Sequence, residues 1–228
     1  MDGITKTIDG ETILNDVSFT VNGGDKIAFM GDNSLAKTTL FQILAGEMEP
    51  DSGTFAWGQT ITHSYFPTEH SAYFKGDRDL IEWLLQFTPP NEGESFARAF
   101  LGRMLFSGEE AAKKIDIRSG GQKVRCMLSR MKRSESNVLM LDEPTNHLDL
   151  ESITALNNSL LNFPEVILFA SHDHECLNTV VNRIIEITPG GLIDRRMTFD
   201  ECLKRESMAN PGSHDCKGGL SKRCVENI

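Results

Sequence analysis

Two adjacent carboxylates, Asp142 and Glu143, follow an apolar run at residues 138–141 and precede a proline. A buried strand that ends in this way carries its acidic residues to the carboxyl edge of a sheet, where α/β proteins bind ligands. In nucleotide hydrolysis the first carboxylate can hold Mg²⁺, directly or through water, and the second can polarise the attacking water. An acidic turn after a strand is the alternative interpretation, and two further segments weigh against it.

The first of these segments has the form of a phosphate-binding loop between a strand-like run at residues 26–30 and a helical pattern. In such a loop, backbone N–H groups at the helix start face the phosphates, Lys37 reaches the β and γ oxygens, and the Thr38 hydroxyl binds Mg²⁺. The usual form G-x-x-x-x-G-K-[ST] has a second glycine where this chain has Ala36. The loop residues that we predict to bind ATP are Gly31, Asp32, Asn33, Ser34, Leu35, Ala36, Lys37, Thr38 and Thr39.

The second segment is another apolar run, residues 167–170, which leads into His172. A histidine at a strand end can donate to a γ-phosphate and stabilise the negative charge that develops there. Taken alone, such a histidine is more often a polar loop residue, and only the combination of three strand ends favours a catalytic role. We therefore predict Glu143 and His172 as catalytic residues, with Thr38 and Asp142 as the Mg²⁺ ligands.

With these segments in this order, the chain resembles an ATP-binding cassette (ABC) domain over about residues 2–205. The sequence Glu-Pro-Thr-Asn-His-Leu-Asp at 143–149 is similar to the ABC-F branch, and residues 183–189 are similar to the second cassette of YbiT-like ABC-F proteins. The resemblance implies an α/β fold: a P-loop NTPase cassette of ABC type with a RecA-like core, an antiparallel β subdomain and a helical subdomain. It also implies that ATP and Mg²⁺ are bound and that ATP is hydrolysed to ADP and phosphate.

The resemblance further implies a partner, because a short glycine-rich segment stands where the family carries its signature motif. In the family this motif completes the nucleotide pocket of an opposing cassette, so a second cassette is expected, in a homodimer or a tandem protein. Asp149 lies in the loop expected to cross that interface. ABC-F proteins act on the ribosome, which is therefore an expected partner, and the ATP-binding subunit of a transporter is the alternative. The predicted signature residues are Ser119, Gly120, Gly121 and Gln122.

Several residues depart from the family pattern, and they cluster around the expected nucleotide. Ser34 and Ala36 replace glycines, and a β-carbon where the backbone needs positive φ costs about 1–2 kcal/mol. Ile8 stands where the family places an aromatic ring against adenine, and Arg118 replaces the leucine that opens the signature. Thr68, at the usual glutamine position, is still expected near ATP but is too short to reach the metal or the lytic water. These departures favour a second hypothesis, in which the chain is an interaction module with impaired or absent hydrolysis.

Composition places the chain among single-domain globular proteins, with 228 residues, 39% hydrophobic and 25% charged. No apolar run approaches the roughly 20 residues of a membrane helix, so we expect no direct membrane insertion. With no secretory leader at residues 1–3 and an odd number of scattered cysteines, five in all, a cytoplasmic location is expected.

The net charge of −10 argues against sequence-independent binding of nucleic acid over a broad surface. The one dense basic cluster is interpreted as a solvated helix face: Lys123, Arg125, Arg130, Lys132 and Arg133.

The organisation along the chain predicts one ABC-type domain at residues 1–206. Strand-like patterns at residues 2–30 and 52–66, separated by glycine-containing turns, predict the antiparallel sheet. A helical insert is expected at about residues 78–117. Residues 207–228 lack hydrophobic periodicity, so a disordered tail is expected there.

Overall fold

A computed structural model describes residues 1–69, 71–88, 92–103, 106–115, 120–134, 136–146 and 148–202. The predicted tail at 207–228 and the signature residues Arg118 and Ser119 lie outside these ranges. In chain order the elements are β1 (Asp2–Ile8), β2 (Glu11–Val17), β3 (Lys26–Met30), α1 (Ser34–Ala45), β4 (Ser52–Thr54), β5 (His63–Phe66), a 3₁₀ turn (Ser71–Phe74), α2 (Leu80–Leu85), α3 (Glu94–Arg103), α4 (Gly108–Ala111), α5 (Gly120–Arg133), β6 (Val138–Asp142), α6 (Leu150–Leu161), β7 (Val166–Ala170), α7 (His174–Val180), β8 (Arg183–Thr188) and β9 (Gly191–Arg195).

A six-stranded sheet with the order β5-β6-β7-β3-β8-β9 forms the centre of the fold. Its first five strands are parallel, and β9 joins the edge antiparallel to β8. All five residues of β7 are buried, which explains why its sequence is a continuous apolar run: helices or a second sheet cover both faces of a parallel sheet. The carboxyl ends of β3, β6 and β7 therefore meet at one edge, as the predicted α/β fold requires.

The second sheet is antiparallel, with the order β2-β1-β4, and it covers one face of the central sheet together with α1. Ile4 and Leu14 from this sheet share one buried cluster with Phe29 from β3 and Phe41 from α1. Phe29 and Phe41 meet edge to face, with ring centroids 5.5 Å apart. An antiparallel subdomain is therefore present, and its apolar side closes the core above the phosphate-loop helix. The predicted bounds were too wide, because Lys26–Met30 and His63–Phe66 pair in parallel within the central sheet.

The other face of the central sheet carries the helices of the predicted insert and the long helix α5, whose apolar side chains form the second buried cluster. The basic side chains of α5 do not form a freely solvated face. The guanidinium of Arg130 lies 4.7 Å from the ring centroid of Tyr73 and 4.6 Å from that of Phe87, and Arg125 lies 4.8 Å from that of Phe106. These cation–π contacts attach α5 to the helical insert and to the 3₁₀ turn before it. The interpretation of a solvated helix face is therefore wrong for both arginines.

Lys123 follows the same pattern, with its Nζ 5.9 Å from the ring centroid of Phe74. The side chains of Lys132 and Arg133 lie outside the described part of the structure. Among the described residues, no helix has the length and apolar character needed to cross a membrane.

Candidate active site

The phosphate loop connects β3 to α1 and sets the first turn of α1 at the carboxyl edge of the sheet. Gly31 has a φ of +140°, and a β-carbon there would stand 2.6 Å from the carbonyl oxygen of Ile187, so only glycine fits. The Asn33 side chain caps α1 by accepting a hydrogen bond from the N–H of Ala36 at 3.2 Å. The loop thus directs a helix N-terminus, with its partial positive charge, towards the site.

The loop residues that replace family glycines are not strained. Ser34 and Ala36 lie in the first turn of α1, and among the described residues positive φ occurs outside glycine only at Asp9, Asp16 and Glu143. The expected strain of a β-carbon at positive φ is therefore wrong for this loop. Ala36 is 1% exposed and packs into the core beneath α1, so its methyl group contributes to packing.

Thr38 and Asp142 meet directly, although 104 residues separate them in the chain. The Thr38 hydroxyl donates to Oδ2 of Asp142 at 2.7 Å. Burial raises the pKa of Asp142, which is 1% exposed, and the hydrogen bond from Thr38 opposes that shift. The Thr68 hydroxyl donates to the main-chain oxygen of Asp142 at 3.3 Å, which places this short side chain beside the acidic strand end.

Glu143 stands at the convergence of the three strand ends. Its Oε1 lies 3.6 Å from Nζ of Lys37 and 3.2 Å from Nε2 of His172. Glu143 and Lys37 are 8% and 3% exposed, whereas the His172 side chain is 46% exposed. Both carboxylate oxygens of Glu143 are buried, and neither accepts a hydrogen bond from a described group. The backbone of Glu143 has a φ of +52°, and its N–H donates to the oxygen of Ala170 at the end of β7 at 2.8 Å.

Two hydroxyl side chains that sequence reasoning missed join the segments carrying Glu143 and His172. Thr145 and Ser171 are hydrogen-bonded through their hydroxyl oxygens at 2.9 Å. The Ser171 hydroxyl also accepts from the N–H of Asp173 at 3.0 Å, and Asp173 caps α7. The available signal was a hydroxyl residue within two positions of each predicted catalytic residue in the chain. These bonds hold the loop that presents His172 against the loop that presents Glu143.

Two of the residues predicted to face an opposing cassette, Gln122 and Asp149, make hydrogen bonds with nearby residues of their own chain. Gly120 and Gly121 open α5, and the Gln122 side chain donates to Oε1 of Glu110 at 3.0 Å. Asp149 caps α6, accepting from the N–H of Ser152 at 2.8 Å, and hydrogen bonds from Ser152 lower the pKa of Asp149. These hydrogen bonds lie at the helical insert and at the start of α6, and they join neither side chain to the cluster around Glu143.

The Thr38–Asp142 pair has the ligand chemistry that Mg²⁺ requires. Mg²⁺ prefers oxygen ligands, keeps several waters and is usually held by one or two carboxylates together with substrate phosphates. Within the part of the chain that the structure describes, no group of three or more His, Cys, Asp or Glu side chains could hold a metal ion. A hydroxyl and one carboxylate in contact therefore fit Mg²⁺ bound with a nucleotide, and they do not fit a transition-metal site.

A profile of the family described as "ABC transporter" matches residues 14–146. The chain is 60% identical over 205 residues to "Uncharacterized ABC transporter ATP-binding protein YkpA" of Bacillus subtilis (strain 168), covering 90% of this chain and 38% of that protein. It is 34% identical to "Probable ATP-binding protein YbiT" of Escherichia coli O157:H7, covering 91% of this chain and 39% of that protein.

The chain is also 30% identical to "Energy-dependent translational throttle protein EttA" of Escherichia coli (strain K12), covering 84% of this chain and 35% of that protein. It therefore spans less than two-fifths of the length of these curated relatives. Among solved structures, the fold resembles a dimeric post-hydrolysis state of the ATP-binding cassette MJ0796 bound to ADP and Pi. The TM-score is 0.71 at 17% identity, covering 86% of this chain and 97% of that one.

Proposed function

Because the chain belongs to the ABC transporter family, we propose that it is an ATP-binding cassette that binds and hydrolyses Mg-ATP. The observation that carries the proposal is the meeting of Lys37, Glu143 and His172 at one edge of a parallel sheet, with both distances to Glu143 at or below 3.6 Å. A cation, a carboxylate and an imidazole follow three different strands and meet at one point. Binding of a common ligand explains this arrangement more simply than a role in folding does. Residues 1–206 form the proposed cassette domain.

The proposed roles follow from the chemistry of each side chain. Lys37 and the N–H groups of the phosphate loop bind the β- and γ-phosphates, while Thr38 and Asp142 hold Mg²⁺. When bound there, Mg²⁺ neutralises charge on the phosphate oxygens. Glu143 orients and polarises the attacking water, and His172 donates a hydrogen bond to the γ-phosphate. The phosphates compete with Glu143 for Lys37, so nucleotide binding frees the carboxylate to accept from water.

We propose that a second cassette completes the site, in a homodimer or a tandem protein. Gly120, Gly121 and Gln122 open α5, and with Ser119 they are the residues proposed to face the nucleotide of the partner. Exposed N–H groups at a helix start bind anions, which is the chemistry that a γ-phosphate requires. The dimeric state of MJ0796, which has this fold, supports the same arrangement here. Asp149 belongs to the proposed interface.

We place the cassette in the ABC-F branch and propose that it acts in translation, on the ribosome. The 143–149 sequence supports this assignment, and so does the 30% identity to a protein named as a translational throttle. The transporter alternative draws support from the relative YkpA, which is named as an ABC transporter ATP-binding protein. Co-sedimentation with ribosomes in Mg-ATP discriminates between the ribosomal and the transporter proposals. A protein that acts on the ribosome should pellet with it, and a transporter subunit should stay in the supernatant.

A second candidate function is a nucleotide-responsive interaction module with slow or no turnover. Thr68 favours this candidate, since its hydroxyl binds the main chain of Asp142 and is too short to position water as a glutamine would. Ile8 also favours it, since this residue packs its aliphatic side chain against the core and offers no aromatic ring to adenine. We therefore expect weaker nucleotide binding and slower hydrolysis than the family pattern alone implies.

The testing experiment is calorimetric titration of Mg-ATP into the Glu143→Gln variant, which retains the binding groups and lacks the proposed base. Micromolar binding together with a shift to dimer on size exclusion is the expected result. The double variant Glu143→Gln with Lys37→Ala is the matched control, and it should lose most of the affinity. No binding at millimolar Mg-ATP contradicts the proposal. Binding without any phosphate release from the unsubstituted protein selects the interaction module.

A further inference from the structure

Tyr65 lies on the same side of the central sheet as Asp142. On the parallel strands β5 and β6, Tyr65 is in register with Met140. Side chains alternate along a strand, so Met140 and Asp142, two residues apart, face the same side as Tyr65. That side is covered by α1, whose Phe41 ring stacks on the Tyr65 ring with centroids 6.2 Å apart and an interplanar angle of 15°.

The same helix reaches Asp142 one turn earlier. Thr38 and Phe41 are three residues apart, hence on one face of α1, and they make consecutive contacts with the sheet: Thr38 with Asp142 and Phe41 with Tyr65. Tyr65 and Asp142 are thus neighbours beneath one helix face. The ring of Tyr65 is fixed by its packing against Phe41. The hydroxyl hydrogen can still rotate about the C–O bond towards a hydrogen-bond acceptor.

The Tyr65 hydroxyl is buried and makes no hydrogen bond with any residue in the described ranges. A phenol has an ordinary pKa of about 10, so at neutral pH this hydroxyl is an O–H donor. Asp142 in turn is a buried carboxylate that accepts from Thr38 through Oδ2. A carboxylate offers about four lone-pair sites, so it has capacity for a second donor.

We propose that Tyr65 is a positioning residue for Asp142, whose hydroxyl donates to the Asp142 carboxylate in the nucleotide-loaded site and fixes its orientation towards Mg²⁺. This inference rests on the proposed function. A further donor on the carboxylate, added to Thr38, limits rotation about the Cβ–Cγ bond and so fixes the plane of the carboxylate. Before nucleotide binds, the buried hydroxyl has lost its hydrogen bonds to water and has gained none in return. This loss lowers the free energy of unfolding. That cost is relieved when the bond to Asp142 forms.

The test compares Tyr65→Phe with Tyr73→Phe, the same change at the only other tyrosine of the chain. Both are made in the Glu143→Gln background. For Tyr65→Phe we expect an unchanged or slightly higher free energy of unfolding without nucleotide, because an unsatisfied group is removed. Affinity for ATP in EDTA should be unchanged, and affinity for Mg-ATP should fall about tenfold, the loss expected for a hydrogen bond to a charged group. Tyr73→Phe should change neither affinity.

Three outcomes overturn the inference. Equal Mg-ATP affinity in Tyr65→Phe and its parent shows that the hydroxyl does not act through Asp142. An equal loss of affinity in EDTA and in Mg²⁺, together with a lower free energy of unfolding, shows a purely structural role. If the Glu143→Gln parent binds no Mg-ATP, the proposed function and this inference fail together. If the parent binds and only the Mg²⁺-dependent effect is missing, the inference fails alone.

Discussion

The ammonium group of Lys37 lies 3.6 Å from the carboxylate of Glu143, so the residue proposed to bind phosphate is paired with the residue proposed to activate water. Both side chains are almost fully buried, at 4% and 9% exposed. Each therefore offsets part of the other's desolvation while no phosphate is present. Under the proposed function, a phosphate bound to Lys37 would release the Glu143 carboxylate from this pair. His172, whose Nε2 lies 3.2 Å from the same oxygen, would remain beside the carboxylate.

The first prediction concerns the stability of this pair. Glu143→Gln should lower the free energy of unfolding by about 1–3 kcal/mol without nucleotide, because a buried ammonium loses its counter-charge. Glu151→Gln, the same change at an exposed position in the first turn of α6, is the control and should have little effect. Urea unfolding with and without Mg-ATP measures both. Equal stability in the two variants would show that the pair contributes nothing.

The second prediction concerns the phosphate loop. Ser34→Gly with Ala36→Gly should cost about 1–2 kcal/mol of stability, since glycine is a poor helix former and the buried methyl of Ala36 is lost. Because neither residue has a strained backbone, ATP affinity should rise by less than about tenfold. Thermal unfolding and calorimetry provide the two readouts. A much larger gain in affinity would show that the native side chains crowd the phosphates.

The third prediction concerns the attachment of α5 to the helical insert. Arg130→Gln should lower the free energy of unfolding by about 1 kcal/mol, because the guanidinium leaves two aromatic faces. Arg130→Lys should lose less, although an ammonium cannot stack as a planar group does. Arg98→Gln removes an exposed i,i+4 ion pair with Glu94 and should cost under about 0.5 kcal/mol. A cost at Arg130 no greater than at Arg98 would contradict the stacking argument.

The fourth prediction is a pH dependence of stability at the edge of the central sheet. Arg183 donates to both oxygens of Asp194, at 2.9 and 2.6 Å, and to Asp25 at 2.6 Å. The hydrogen bonds from Arg183 lower the pKa of Asp194 below its ordinary value of 3.8. A depressed folded-state pKa contributes stability above the unfolded-state pKa, and the contribution is lost as pH falls through the folded-state value.

Asp194→Asn should therefore be less stable than the parent at pH near 7, and the difference should shrink as the pH falls below about 4. Because the Asp194 side chain is 41% exposed, solvent screening keeps the effect modest. Urea titrations across this pH range measure it. A difference between variant and parent that stays constant down to the acid limit would contradict the assignment of this ion pair.

The sequence predicted the fold class and the meeting of three segments because parallel strands bring their carboxyl ends to one edge whatever lies between them. That rule predicted that Asp142, Glu143 and His172 would lie at one edge of the sheet, and their chemical roles stay predictions. The side-chain pairings were not predictable, since the 3.6 Å approach of Lys37 to Glu143 depends on the packing of α1. The strain expected at Ser34 and Ala36 was wrong for a related reason: the helix begins at Ser34, so both residues have helical backbone angles.

The aromatic partners of α5 show a second limit of sequence reasoning. A run of lysines and arginines on one helix has the same appearance whether the cations meet water or rings. The partners of Arg130 are Tyr73 and Phe87, more than 40 residues earlier in the chain, and nothing in the local pattern connects them. Only the three-dimensional arrangement of the helical insert distinguishes a binding surface from an internal fastening.

The left-handed backbone of Glu143, with φ of +52°, has an energetic cost. Glycine would adopt this conformation at an energy lower by about 1 kcal/mol. Folding stability alone would therefore favour glycine at this turn. A glutamate that carries this backbone penalty is the pattern expected where strain is stored at a functional site.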